Sequence, residues 1–231
     1  MVTSLTDFPL SSVAEICWHS QMDTMNFDTI YEKPDPWGVR LKSFSNKRRR
    51  QVIRSLAPLF KDKTVLEVGC GEGSLTPQIA SYCRKVVGID ISQTAIDRTP
   101  KIGNASFFAT SMTDFDYSNF DLVTMLECLY YLSEDDQHQV LSKIKTSLII
   151  SAPIIGENEH RRYYTRDTLV RLLSDHGFGI DRSFIMSLRW DGSIARKVAI
   201  NTIKAIDTLG VPILSVTPRQ WVYQMLFVCV R

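Results

Sequence analysis

The chain has 231 residues, 44% of them hydrophobic and 23% charged, with a formal net charge of +2. That length suits one domain with a sizeable core, the charge forces no partner, and no apolar run approaches the roughly 20 residues that cross a bilayer. Five scattered cysteines (Cys17, Cys70, Cys83, Cys128, Cys229) with no CxxC or CxxH spacing argue against a disulfide framework and a zinc site, and the N-terminus reads as a poor signal peptide, so a reduced, cytoplasmic protein is expected.

Residues 1–38 mix aromatic, proline and polar residues irregularly, and "YEKPDPWG" at 31–38 reads as turns and extended chain. Arg40, Lys42, Lys47, Arg48, Arg49, Arg50 and Arg54 follow without an intervening acid. Two readings stand: a nucleic-acid patch, or the solvated face of an amphipathic helix near 43–60, since Val52, Ile53, Leu56 and Leu59 recur at helical spacing.

Strand-like and helix-like segments then alternate. The pattern predicts a strand at 63–69, a helix through 75–83, a strand at 85–90 and a short helix near 92–98. Strands follow at 105–110 and 120–126, then a helix over 134–146 and a strand at 147–154. Ser133 with Asp136 three residues on predicts a capping box, and Glu134, Asp135 and Asp136 suit the positive end of that helix. A further helix begins after Thr165 and runs to Gly177. Strands at 181–190 and 219–231 flank a helical stretch, so the last strand pair is interrupted by an insertion, 191–218. Short apolar runs separated by helices indicate an α/β fold, with parallel strands buried on both faces.

The stretch "VLEVGCGEGSLT" at 65–76 carries the chemistry. It is neither G-x-G-x-x-G nor a Walker loop: the pattern is E-x-G-x-G-x-G and no lysine follows. Glu67 sets a carboxylate beside whatever the loop binds, which disfavours a pyrophosphate and suits a ligand carrying positive charge. Asp90 closes the next strand, where a ribose diol is hydrogen-bonded in such folds.

The ordered series "VLEVGCGEGSLT", "VVGIDIS", "ATSMTDF" and "FDLVTMLECLYYL" resembles that of class I S-adenosylmethionine-dependent methyltransferases across roughly 60–180. The resemblance implies a Rossmann-like, doubly wound, seven-stranded, mostly parallel sheet with helices on both faces. It implies S-adenosylmethionine as cofactor and S-adenosylhomocysteine as product. Gly69, Cys70 and Gly71 would admit the methionine and sugar portions, and Asp90 the ribose hydroxyls. Ile91, Ser111 and Met112 would contact the adenine, with Leu126 and Glu127 beside the sulfonium. Ile91 and Met112 also read as ordinary core residues, and the glycines as turn residues.

"YEKPDPWG" before a basic helix, together with "LECLYYL", resembles more narrowly the nodulation protein S group. That likeness implies an N-terminal lid, 1–42, ahead of a methyltransferase domain at 43–231, with Tyr31 and Trp37 folding over the pocket and a basic residue of the next helix reaching the methionine carboxylate. The Pro-Gly-Gly turn usual before strand five is missing, which requires a shortened connection.

Methyl transfer is an in-line displacement from a good leaving group, so alignment and exclusion of water supply most of the catalysis. No metal cluster stands out, and the [DNS]-P-P-[YFW] sequence of base-modifying amino methyltransferases is absent. His160, Glu127 and Tyr131 are the candidate catalytic residues, and Tyr31, Tyr130, Arg161 and Arg162 the candidate acceptor contacts. Three functions follow: a methyltransferase acting on an amine or hydroxyl of a small molecule, with a sugar, nucleotide-sugar or glycan precursor favoured; an RNA methyltransferase using the basic helix; or a non-catalytic cofactor-binding subunit. The expected partner is a small-molecule acceptor rather than nucleic acid or membrane, and the 191–218 insertion is a candidate homodimer surface.

Overall fold

A computed structural model describes residues 26–40, 43–154, 164–188, 193–208 and 221–231. A short helix, α1 (Phe27–Tyr31), precedes α2 (Phe44–Ser55) and α3 (Ala57–Phe60). The expected single helix over 43–60 breaks at Leu56, because Pro58 has no N–H to continue the ladder. The amphipathic pattern of α2 is used as such: Val52 and Ile53 are buried with Leu56 and Phe60 in one core cluster.

The strands are β1 (Thr64–Val68), β2 (Lys85–Asp90), β3 (Ala105–Ala109), β4 (Leu122–Leu126), β5 (Ser147–Pro153), β6 (Gly179–Leu188) and β7 (Val222–Val230). They form one seven-stranded sheet in the order β3-β2-β1-β4-β5-β7-β6. The first five run parallel, and β7 is antiparallel to both β5 and β6. Period-two alternation explains the apolar runs. Val65, Leu122, Ile149 and Leu226 join a core on one face, and Leu66, Val123, Ile150 and Phe227 a core on the other. The first face is covered by α2, α3 and α4 (Thr76–Ala80), the second by α6 (Glu134–Lys143) and α7 (Arg166–Asp175). A one-turn helix, α5 (Gln93–Ile96), follows β2, and α8 (Ile194–Thr208) lies between β6 and β7.

Two local expectations change. The helix over 75–83 stops at Ala80, where the Asn104 amide donates to the carbonyls of Ala80 and Cys83 at 2.9 and 3.3 Å and satisfies the helix end early. Ser133 does cap α6, accepting the Asp136 N–H at 3.2 Å, but the Asp136 carboxylate takes the Ser133 hydroxyl instead of reaching back to the backbone. The reciprocal box lies at α7, between Thr165 and Thr168. Only residues 144–146 join α6 to β5, in line with the missing Pro-Gly-Gly turn. No described helix is long and apolar enough to cross a membrane.

Candidate active site

Strand order reverses between β1 and β4, so the carboxyl ends of these strands diverge and leave a crevice. A cavity of about 450 Å³ fills it. Its first wall is the turn after β1. Gly69, Gly71 and Gly73 all have positive φ (66°, 54° and 68°), and a Cβ on Gly69 would lie 2.6 Å from the Cβ of Cys128. Only glycine fits that position without displacing β4's continuation.

Two carboxylates border this turn. Glu67 is 4% exposed and accepts the Thr76 hydroxyl at 2.6 Å; burial outweighs that bond and pushes its carboxyl up to about 7. Asp90, at the end of β2, accepts the Gly71 N–H at 2.8 Å and the Ser92 N–H at 3.0 Å. Burial raises its carboxyl too, against the pull of those donors. A carboxylate has about four acceptor positions, and with three backbone donors on it Asp90 keeps room for a further donor in the cavity. Ile91, 57% exposed, Ser111 and Met112 continue this wall past β2 and β3.

The second wall comes from β4 and the turn after it. Leu126 ends the strand, and Glu127 adopts φ +65°, a left-handed conformation costly for a residue with a side chain. Its carboxyl accepts the Ser151 hydroxyl at 2.6 Å and bonds to the Gln224 side chain. Burial raises it, while those bonds and the charge of Arg49 on α2 favour the carboxylate. Tyr130 and Tyr131 follow in a 3-10 turn, Leu129–Tyr131, their rings 4.6 Å apart.

The third wall is the strap at 27–40. Asp28 accepts the Ser92 hydroxyl at 2.6 Å and the Thr94 N–H at 2.9 Å, tying α1 to α5, and those bonds hold its carboxyl below the usual range. Trp37 donates its indole N–H to the Tyr31 hydroxyl at 3.2 Å, and that hydroxyl lies over Gly71, where a Cβ would meet it at 2.6 Å. Phe27 meets Tyr131 edge-on at 5.3 Å and Trp37 lies 6.2 Å from the same ring. An aromatic wall thus spans strap and β4 turn.

Residues 65–149 match the family described as "Methyltransferase domain". Nodulation protein S of Sinorhizobium fredii is 30% identical over 105 residues, 43% of this chain and 49% of that protein. Phosphoethanolamine N-methyltransferase 1 of Zea mays is 27% identical over 107 residues, 43% of this chain and 21% of that protein. The chain therefore spans about half or less of the length of these relatives. The solved structure of N-methyltransferase NodS from Bradyrhizobium japonicum WM9, in complex with S-adenosyl-L-homocysteine, shares the fold with a TM-score of 0.61 at 17% identity, over 92% of this chain and 97% of that one. The chain has the class I methyltransferase fold.

Trp37, Glu67, Gly69, Cys70, Gly71, Asp90 and Ile91 all line this same cavity. So do Ser111, Met112, Leu126, Glu127, Tyr130 and Tyr131. Tyr31 lines it from the glycine-turn side, held there by the Trp37 bond. Among the basic residues of α2, Arg49 lines the cavity, beside Asn46. His160, Arg161 and Arg162 lie outside the described residues, as does most of the 191–218 insertion beyond α8. Phe27, Glu72 and Gln224 also line the cavity, and Asp28 ties the strap beside it, without a signal in the sequence. Glu72 occupies an unspecified position of the E-x-G-x-G-x-G pattern and Gln224 sits in an apolar strand, so neither belongs to a motif; Asp28 caps a helix far along the chain, beyond any local pattern.

Proposed function

We propose that this domain binds S-adenosylmethionine in the cavity and transfers its methyl group to the amine or hydroxyl of a small-molecule acceptor. The observation that carries the reading is the pairing of two buried carboxyls, Glu67 and Asp90, with no cation partner among the described residues, on either side of a glycine turn that admits close backbone approach. The bound group supplies an activated methyl on a sulfonium. Asp90 offers acceptors to a ribose diol, Glu67 a carboxylate to an ammonium, and Arg49 a cation to a carboxylate. Gly69 and Gly71 keep side chains out of the path.

The aromatic wall of Phe27, Trp37 and Tyr131 keeps water away from the methyl and leaves an apolar, electron-rich face toward the acceptor. That face favours an amine over an anionic acceptor. The names of the relatives, nodulation protein S and phosphoethanolamine N-methyltransferase, support a small acceptor, and N-methylation in the second case. An amine must arrive neutral, and Glu127 and the Tyr131 hydroxyl stand near enough to the cavity to orient it as acceptors. Amino-sugars and other sugar-type acceptors belong in the screen beside simple amines. Titration calorimetry with S-adenosylhomocysteine, followed by acceptor screening for its release, tests the reading; no binding of either cofactor form refutes it.

A further inference from the structure

Glu72 stands between Gly71 and Gly73 and has no part in the methyl-transfer chemistry. Its side chain is only 2% exposed, which is costly for a carboxylate unless charges and donors meet it. Arg40 Nη2 reaches it at 2.8 Å, Arg98 Nη1 at 3.1 Å, and the Asp35 N–H donates to it at 3.2 Å. Arg98, just after α5, also donates to the backbone carbonyls of Tyr31 and Glu32. Asp35 itself has φ +50°, and its carboxylate holds that bend by accepting the N–H groups of Val39 and Arg40 at 2.7 and 3.0 Å. The bonds made by Glu72 and Arg98 join the strap to the nucleoside side of the cavity.

We propose that Glu72 is a latch, a positioning residue that holds the strap at 27–40 closed over the cavity and so governs how fast a bound nucleoside leaves. Glu72 touches no reacting atom in this role; it acts on Asp35 directly and on Tyr31 through Arg98, and these carry Trp37 and Phe27 with them. Arg40 is 51% exposed and Arg98 32%, so Arg40 is the end that releases first and the end that salt screens. The latch rests on the reading that the cavity holds S-adenosylmethionine.

Stopped-flow dissociation of S-adenosylhomocysteine from wild type, R40Q, E72Q and the double variant tests it. A charge-assisted bond of this kind corresponds to roughly 10-fold in rate. The expected result is release about 10-fold faster in R40Q and at least that in E72Q, with R40Q adding little in the E72Q background and association little changed. Added salt speeds release more in wild type than in R40Q, which keeps only the Arg98 pair. Since E72Q strands two arginines and risks misfolding, R40Q at its half-exposed position carries the test alone if needed. Chymotryptic cleavage after Trp37, located by mass spectrometry in the ligand-free proteins, is faster in both variants if the latch holds. Wild-type rates of release and cleavage in folded R40Q overturn the latch and leave the methyltransferase reading intact. Failure of wild type to bind S-adenosylhomocysteine overturns both.

Discussion

Glu67 gives the sharpest test of the site's electrostatics. Its carboxyl is pushed up to about 7 in the fold against an ordinary 4.5, because burial disfavours the charge and the Thr76 hydroxyl offsets only part of that. Between these values the folded chain holds a proton that the unfolded chain has released. The contribution to stability is therefore complete below about pH 4.5, declines as pH rises, and has gone above about pH 7. The interval corresponds to about 3 kcal/mol. Glu67→Gln keeps an acceptor for Thr76 and never ionises. Urea unfolding of both proteins from pH 4.5 to 8 is expected to show near-equal stability at the acid end. Toward pH 8 the variant gains up to about 3 kcal/mol over wild type, the other carboxyls cancelling in the difference. A difference that stays flat, or that favours wild type as pH rises, refutes the assignment. Binding turns the same group around: at pH 7 a ligand ammonium draws the carboxylate form, so wild type releases a proton on binding S-adenosylhomocysteine and the variant does not. Calorimetry in buffers of different ionisation enthalpy reads that proton.

Gly69→Ala places a Cβ 2.6 Å from the Cβ of Cys128 at φ +66°, so chemical denaturation is expected to show a loss of at least ~1–2 kcal/mol. Asp90→Asn keeps one side-chain acceptor for a backbone N–H but surrenders the charge toward the diol, and S-adenosylhomocysteine affinity by calorimetry is expected to fall about 10- to 100-fold. Trp37→Ala, at a position 49% exposed, is expected to raise the acceptor KM more than it lowers the melting temperature, as initial rates and thermal unfolding would show.

What could be read in advance divides along physical lines. The sheet was legible because strands buried on both faces must be apolar throughout, and β1, β2, β4 and β5 fall where those runs fall. The glycine turn was legible because positive φ at Gly69 and Gly71 excludes nearly every other residue, and Asp90 because a strand end positions it. The strap's attachments were not legible. Asp28 pairs with Ser92 across 64 positions and Arg98 with Glu72 across 26, contacts that exist only once the chain has folded. The early stop at Ala80 had the same origin, since Asn104 supplies the cap from another segment. Local pattern records backbone need; it is blind to polar partners brought in by topology.

The three buried carboxyls around the glycine turn divide into two kinds, and the division bears on function. Glu72 is met by two arginines and a backbone donor, so its charge is settled inside the protein. Glu67 and Asp90 have only neutral partners among the described residues: one hydroxyl in the first case and backbone N–H groups in the second. Burial raises both for that reason. A buried carboxylate left without a cation lowers the stability of the free protein, and a ligand bringing positive charge and hydroxyl donors removes that penalty on binding. A pyrophosphate would increase it. The same turn therefore holds one acid with counter-ions of its own, lying between two that have none among the described residues, and the proposed preference for a cationic nucleoside over a pyrophosphate rests on those two.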